Sequence, residues 1–132
     1  MSTMVFVNFP VKDVAKSTEF YQKLGFTMNP EFSTDEATAM VWDEHFMVML
    51  LDHGFYRKFI GDKTIADTKT TSGALIAFSM NSVEEVKAFG EKAEANGGNV
   101  YHVDMGFPEE QMYNLEVQDL DGNILEPNWM NM

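Results

Sequence analysis

Cysteine is absent from the 132 residues, which removes disulfide scaffolds, thiol catalysis and thiolate metal sites together. Basic side chains are scarce: 9 Lys and Arg stand against 21 Asp and Glu, a formal net charge of -12. A field of that sign repels phosphate backbones and anionic membrane surfaces and favours cations, metals and basic ligands, so neither nucleic acid nor membrane is an expected partner. No apolar run approaches the roughly 20 residues needed to span a bilayer. The apolar opening, residues 1–10, has no basic residue ahead of Lys12; a secretory signal is not expected, and the cytoplasm is the expected compartment. What the chain has in quantity is Met and Phe, 11 of each. Such an interior either packs as a soft core or lines an adaptable cavity, because the flexible thioether fills irregular space and contacts aromatic rings. The length fits one domain with one core.

Residues 4–9 read as an apolar strand closed by Pro10. Asp13 is a helix N-cap, Val14, Phe20, Tyr21 and Leu24 give that helix an apolar face, and Gly25 ends it. Small Ser17 and Thr18 on the same face allow close approach to a sheet. Residues 26–28, 37–42 and 46–51 read as three strands, the last two joined by Asp43-Glu44-His45. A polar stretch from 53 to 72 breaks the pattern, with room for a short helix around 55–60. The order then repeats: strand 74–80, a capping box of Ser82 and Glu85, a helix with Val86, Phe89 and Ala93 inward, and Gly97-Gly98 at its end. Strands follow at 100–103, 112–118 and 123–129, the last pair joined through Asp119-Leu120-Asp121-Gly122, where Asp-Gly signals a hairpin.

The halves agree in position as well as in pattern. Phe6 to Asp13 and Leu75 to Ser82 are both seven residues, and Phe20 and Phe89 each lie seven beyond their caps. The expected class is α+β: two βαβββ modules, about 1–52 and 73–132, joined by connector 53–72 within a single domain. Each module leaves one sheet face bare, so the pair is expected to enclose a cleft.

Val5-Phe6-Val7-Asn8-Phe9-Pro10-Val11-Lys12-Asp13 and Phe20-Tyr21-Gln22-Lys23-Leu24-Gly25-Phe26 closely resemble the opening of the vicinal oxygen chelate superfamily, which contains glyoxalase I, fosfomycin-resistance enzymes, extradiol dioxygenases and bleomycin-resistance proteins. Asp119-Leu120-Asp121-Gly122-Asn123-Ile124-Leu125-Glu126 resembles the acidic turn and strand that bring a metal-binding glutamate in that family. The resemblance implies paired βαβββ modules, a homodimer, and a small-molecule site in a cleft.

Metal-dependent members place one ligand on the first strand of each module and one on the last. Those four places hold Phe6, Leu50, Leu75 and Glu126 here, and only Glu126 offers a metal a lone pair. The resemblance therefore implies no standard metal centre. The alternative is a divalent ion (Ni, Zn, Mn or Mg) held by Asp52 and Glu126, Asp52 sharing the strand face of Leu50 as Asn8 shares that of Phe6. Phe6, Asn8, Trp42, Leu50, Leu75, Ala77, Tyr101, Met112 and Tyr113 are the candidate ligand contacts, an apolar and aromatic wall with one amide around one carboxylate. Enclosed by that wall, Glu126 would be a protonated donor or the counter-ion of a cationic ligand. Three readings follow: a binding protein for a small organic ligand, cationic in one version, as for bleomycin-resistance proteins; a lyase of glyoxalase I (lactoylglutathione lyase) type with Glu126 as catalytic base; or a structural or regulatory dimer whose cleft is closed by its own side chains. Whether the chain is an enzyme stays open at this point.

Overall fold

Two compact units, 1–67 and 68–132, make up the computed structural model, which describes residues 2–132. The first contains β1 (Val5–Val11), α1 (Val14–Leu24), β2 (Thr27–Asn29), a 3-10 turn (Pro30–Phe32), β3 (Ala37–Val41), β4 (Phe46–Asp52) and α2 (His53–Arg57). Its sheet runs β1-β4-β3-β2, with β1 parallel to β4 and the other neighbours antiparallel. Asp13 caps α1 by accepting the Lys16 N–H at 3.1 Å, and Gly25 closes the helix as expected. The expected small residues do bring helix and sheet together: the Thr18 hydroxyl lies 2.8 Å from that of Thr38 on β3. Phe20, Tyr21 and Leu24 are buried on that side, each contributing roughly 1.5–3 kcal/mol through the apolar surface removed from water.

The second unit contains β5 (Leu75–Ser79), α3 (Val83–Ala95), β6 (Asn99–Tyr101), β7 (Met112–Asn114), β8 (Glu116–Gln118) and β9 (Ile124–Met130). The sheet order is β5-β9-β8-β6, β7 also pairing with β9. The capping box is present: Ser82 Oγ accepts the Glu85 N–H at 3.1 Å. Its return bond closes one residue further out, Glu85 Oε2 accepting the N–H of Asn81 at 2.9 Å. α3 lies against one face of the sheet through Phe89, whose ring meets Phe78 edge-on at 5.6 Å. It approaches so closely that a methyl group on Gly90 would sit 2.7 Å from Leu115. The class is α+β.

Three local expectations change. Pro10 does not close the first strand but lies inside β1, an edge strand, where one row of backbone donors has no ladder partner to lose. The expected strand 112–118 is interrupted at Leu115, although β7 and β8 keep one register against β9. Leu115 N–H donates to Pro127 C=O at 3.2 Å, but Pro127 has no N–H to return the bond, and the ladder breaks there. The short helix in the connector starts at His53, earlier than expected, because Asp52 caps it by accepting the Phe55 N–H at 2.8 Å. No helix among the described residues is long and apolar enough to cross a membrane.

Candidate functional site

Side chains alternate across a strand, so the register decides which residues share a face. In the first unit Leu50 pairs with Phe9 and with Thr38, and Thr38 is held by α1. Leu50 is therefore on the helix-covered face and fully buried. Phe6 and Asn8 pair with Met47 and Met49 and occupy the opposite face, with Ala39 beside Met49. The expected grouping of Leu50 with Phe6 and Asn8 is corrected by one residue of register: Met47 and Met49 stand there instead. Trp42 is also elsewhere. Its ring packs on Phe26 with centroids 5.0 Å apart, inside a cluster with Phe46 and Tyr21. Asp52 follows Leu50 on the helix side and spends its carboxylate on the α2 cap.

The second unit does gather most of its candidates. Leu115, Val117, Leu125, Phe78 and Val100 point to α3, so the residues between them occupy the far face. Across that face the pairings Ala77↔Glu126 and Tyr101↔Glu116, with Val117 opposite Leu125, form one row: Ala77, Glu126, Glu116, Tyr101. Leu75 lies on the same face in the neighbouring row and Met112 two rows away on the other side. Tyr113 does not; its ring stacks on His102 at 5.1 Å and carries the Lys87 ammonium at 5.2 Å, both on the α3 side.

The row contains a group missing from the expected set. Glu116 is only 6% exposed and is hydrogen-bonded to Glu126, two carboxyls facing each other on adjacent strands. Burial and the neighbouring Glu126 push Glu116 up from its ordinary 4.5 to about 8, because a second negative charge at that distance and out of water is unfavourable. The shift favours the protonated form of Glu116 at neutral pH. Its Oε2 is buried without a partner, as is Asn128 Oδ1, and Asn128 lies two residues beyond Glu126 on the same face. Sequence order shows no Lys, Arg or His at any far-face position of these strands. The signal that would have found Glu116 is the hairpin. A four-residue turn pairs Gln118 with Asn123 and sets Glu126 opposite Leu115, whereas the observed pairing is Gln118 with Ile124. The Asp119 carboxylate makes the difference by taking the N–H groups of Asp121 at 2.9 Å and Asn123 at 3.0 Å, which draws Asn123 into the turn.

The donor set does not fit a divalent centre. No group of three or more His, Cys, Asp and Glu gathers among the described residues. Phe6, Leu50 and Leu75 bring no lone pair, and Glu126 faces a protonated carboxyl. What the row can do is accept hydrogen bonds from, and neutralise, a cation, or exchange a proton near neutral pH.

Residues 3–41, which run from before β1 to the end of β3, match the family described as bleomycin resistance protein-like, N-terminal. Comparison with curated protein sequences gives no match. Among solved structures, the chain is similar to a glyoxalase/bleomycin resistance protein/dioxygenase family enzyme from Burkholderia phytofirmans PsJN, at 16% identity over 98% of this chain and 100% of that one, with a TM-score of 0.76. A glyoxalase-related enzyme from Fulvimarina pelagi is 20% identical over 98% and 88%, TM-score 0.73. A genomically encoded fosfomycin resistance protein from Listeria monocytogenes is 17% identical over 100% and 94%, TM-score 0.68. These likenesses show the fold: the chain folds like the glyoxalase/bleomycin resistance protein/dioxygenase structures, and its residues 3–41 match the bleomycin resistance protein-like N-terminal family.

Proposed function

We propose that the chain is a glyoxalase/bleomycin-resistance-like binding protein that holds a small cationic organic ligand, without a resident metal, on the far face of its second sheet. The observation that carries this reading is the Glu116–Glu126 pair, with Glu116 buried and Glu126 half-buried, short of a partner at Glu116 Oε2 and unaccompanied by a basic side chain on its face. A cation substitutes for the shared proton and gives the orphaned lone pair a donor. Ala77 and Leu75 supply apolar contact, Tyr101 an aromatic face for a cation, and the net charge of -12 draws such a ligand in. The reading extends to a homodimer: Phe6 and Leu75 are 52% and 56% exposed on β1 and β5, the edge strands of their sheets, and apolar edges are ordinarily covered.

Calorimetric titration with a phleomycin-type or other cationic aromatic compound, one whose charge does not change between pH 6 and 9, tests it. Saturable heat is expected, with affinity rising by about tenfold per pH unit below 8 and levelling above, as ligand and proton compete for the pair. Absence of heat at high ligand concentration ends the cation-binding reading.

One observation favours a second reading. A carboxyl protonated at neutral pH beside another carboxyl is what proton-transfer chemistry requires, and a glyoxalase-type lyase would use the pair as acid and base. Turnover of the methylglyoxal–glutathione adduct, with and without Ni, Zn, Mn or Mg, decides it; a flat trace in every condition removes the enzyme.

A further inference from the structure

The groove beside the acid pair says more about the ligand than its charge. Ala77, the neighbour of Glu126 in register, opens a groove of about 460 Å³ that continues past Ser79, Asn128, Trp129 and Met130. Asn128 faces into the same groove region with its Oδ1 buried and unpartnered. Glu116 pairs opposite Glu126, so Asn128, two residues on, is its diagonal cross-strand neighbour, about 7–8 Å away and somewhat less between Cβ atoms. Two orphaned acceptors thus stand on one face, one acidic and one neutral, separated by the length of a short aliphatic chain. A buried acceptor left without a donor costs more than a made hydrogen bond gains, so two of them select strongly for a molecule that supplies both donors.

Resting on the cation-binding reading above, we infer that the ligand carries two donors on a short spacer, a cationic nitrogen for the Glu116–Glu126 pair and an uncharged hydroxyl or amide N–H for Asn128. The spacer lies along Ala77 and Ser79, the register neighbours of Glu126 and Asn128, and an amino alcohol or an amino amide is the chemical class. A diamine is the poorer fit, because its second charge would meet an amide instead of a carboxylate.

The experiment compares 4-aminobutan-1-ol with 1-aminopentane by calorimetric or NMR titration at pH 9. The two have the same charge and length and differ by a hydroxyl for a methyl group. Hydrophobic burial alone favours the pentyl compound, so a preference for the alcohol has to come from a polar partner. The alcohol is expected to bind about tenfold more tightly. In Asn128→Ala that ratio is expected to fall to about one or below, and in Asn128→Asp, which keeps an acceptor, to stay above one. Thermal melts of both variants report whether the fold is retained. If 1-aminopentane binds as tightly as the alcohol, the two-donor inference is overturned while the acid-pair reading stands. If the ratio survives Asn128→Ala, Asn128 is not the second acceptor and the inference is likewise overturned. If neither amine binds, the cation-binding reading itself fails.

Discussion

Glu116 and Glu126 illustrate how a single buried proton ties structure to solution conditions. Glu116 is at its ordinary 4.5 when the chain is unfolded and at about 8 when folded, so between those values the folded protein holds a proton that the unfolded one releases. The stability associated with that proton is complete below about pH 4.5 and is lost progressively as pH rises to about 8. Glu116→Gln mimics the protonated form at every pH. The expected outcome is that the wild type loses thermal stability relative to Glu116→Gln from pH 5 to pH 8, with no further relative loss above 8. Parallel melting curves across that range would contradict a raised Glu116. His45, in the turn between β3 and β4, lies with its Nδ1 3.3 Å from the Thr3 C=O ahead of β1.

At the scale of elements, the hairpin between β8 and β9 fixes the site. Asp119 is 4% exposed; its Oδ1 accepts two backbone N–H groups and its Oδ2 the Asn123 side-chain amide. Gly122 follows at φ +90, against the Thr68 main chain, where a side chain would be both strained and blocked. Asp119→Ala is expected to cost on the order of 2–3 kcal/mol in urea unfolding, since hydrogen bonds to an ionised group are lost inside the protein. Because the same carboxylate sets the Glu116–Glu126 pairing, the titration near pH 8 should move as well. A variant that is destabilised but still titrates near 8 would show that strand packing alone holds the register.

For the whole molecule, each unit carries its own helix-backed core and its own far face. The far face of the first sheet is lined by Phe6, Asn8, Met47, Met49 and Ala39 and carries one amide and no ionisable group among these. The far face of the second carries the acid pair. A native mass spectrum of protein purified without added metal or a nickel-derived tag reports subunit number, metal and retained ligand together. A dimer without stoichiometric divalent ion is expected. One ion per chain would overturn the argument from ligand positions and put a metal-dependent lyase first.

Much of this was legible in the residues alone. The caps Asp13 and Ser82, the helix stripes, the turn at Asp-Gly and the seven-residue spacings are local, because capping and amphipathic periodicity act within a few residues of chain, and they were enough to give the α+β class and the repeated module. Which residues meet across a strand was not legible, because side-chain direction reverses with every residue and a register is set by distant partners. One step of register removes Leu50 from the face of Phe6 and substitutes Met47 and Met49. One extra residue drawn into a turn by Asp119 brings Glu116 opposite Glu126. The sequence by itself determined most of the elements and the acidic character of this protein; the tertiary structure alone decided that Glu116 is buried beside Glu126, since that depends on a pairing and a burial that no local pattern encodes.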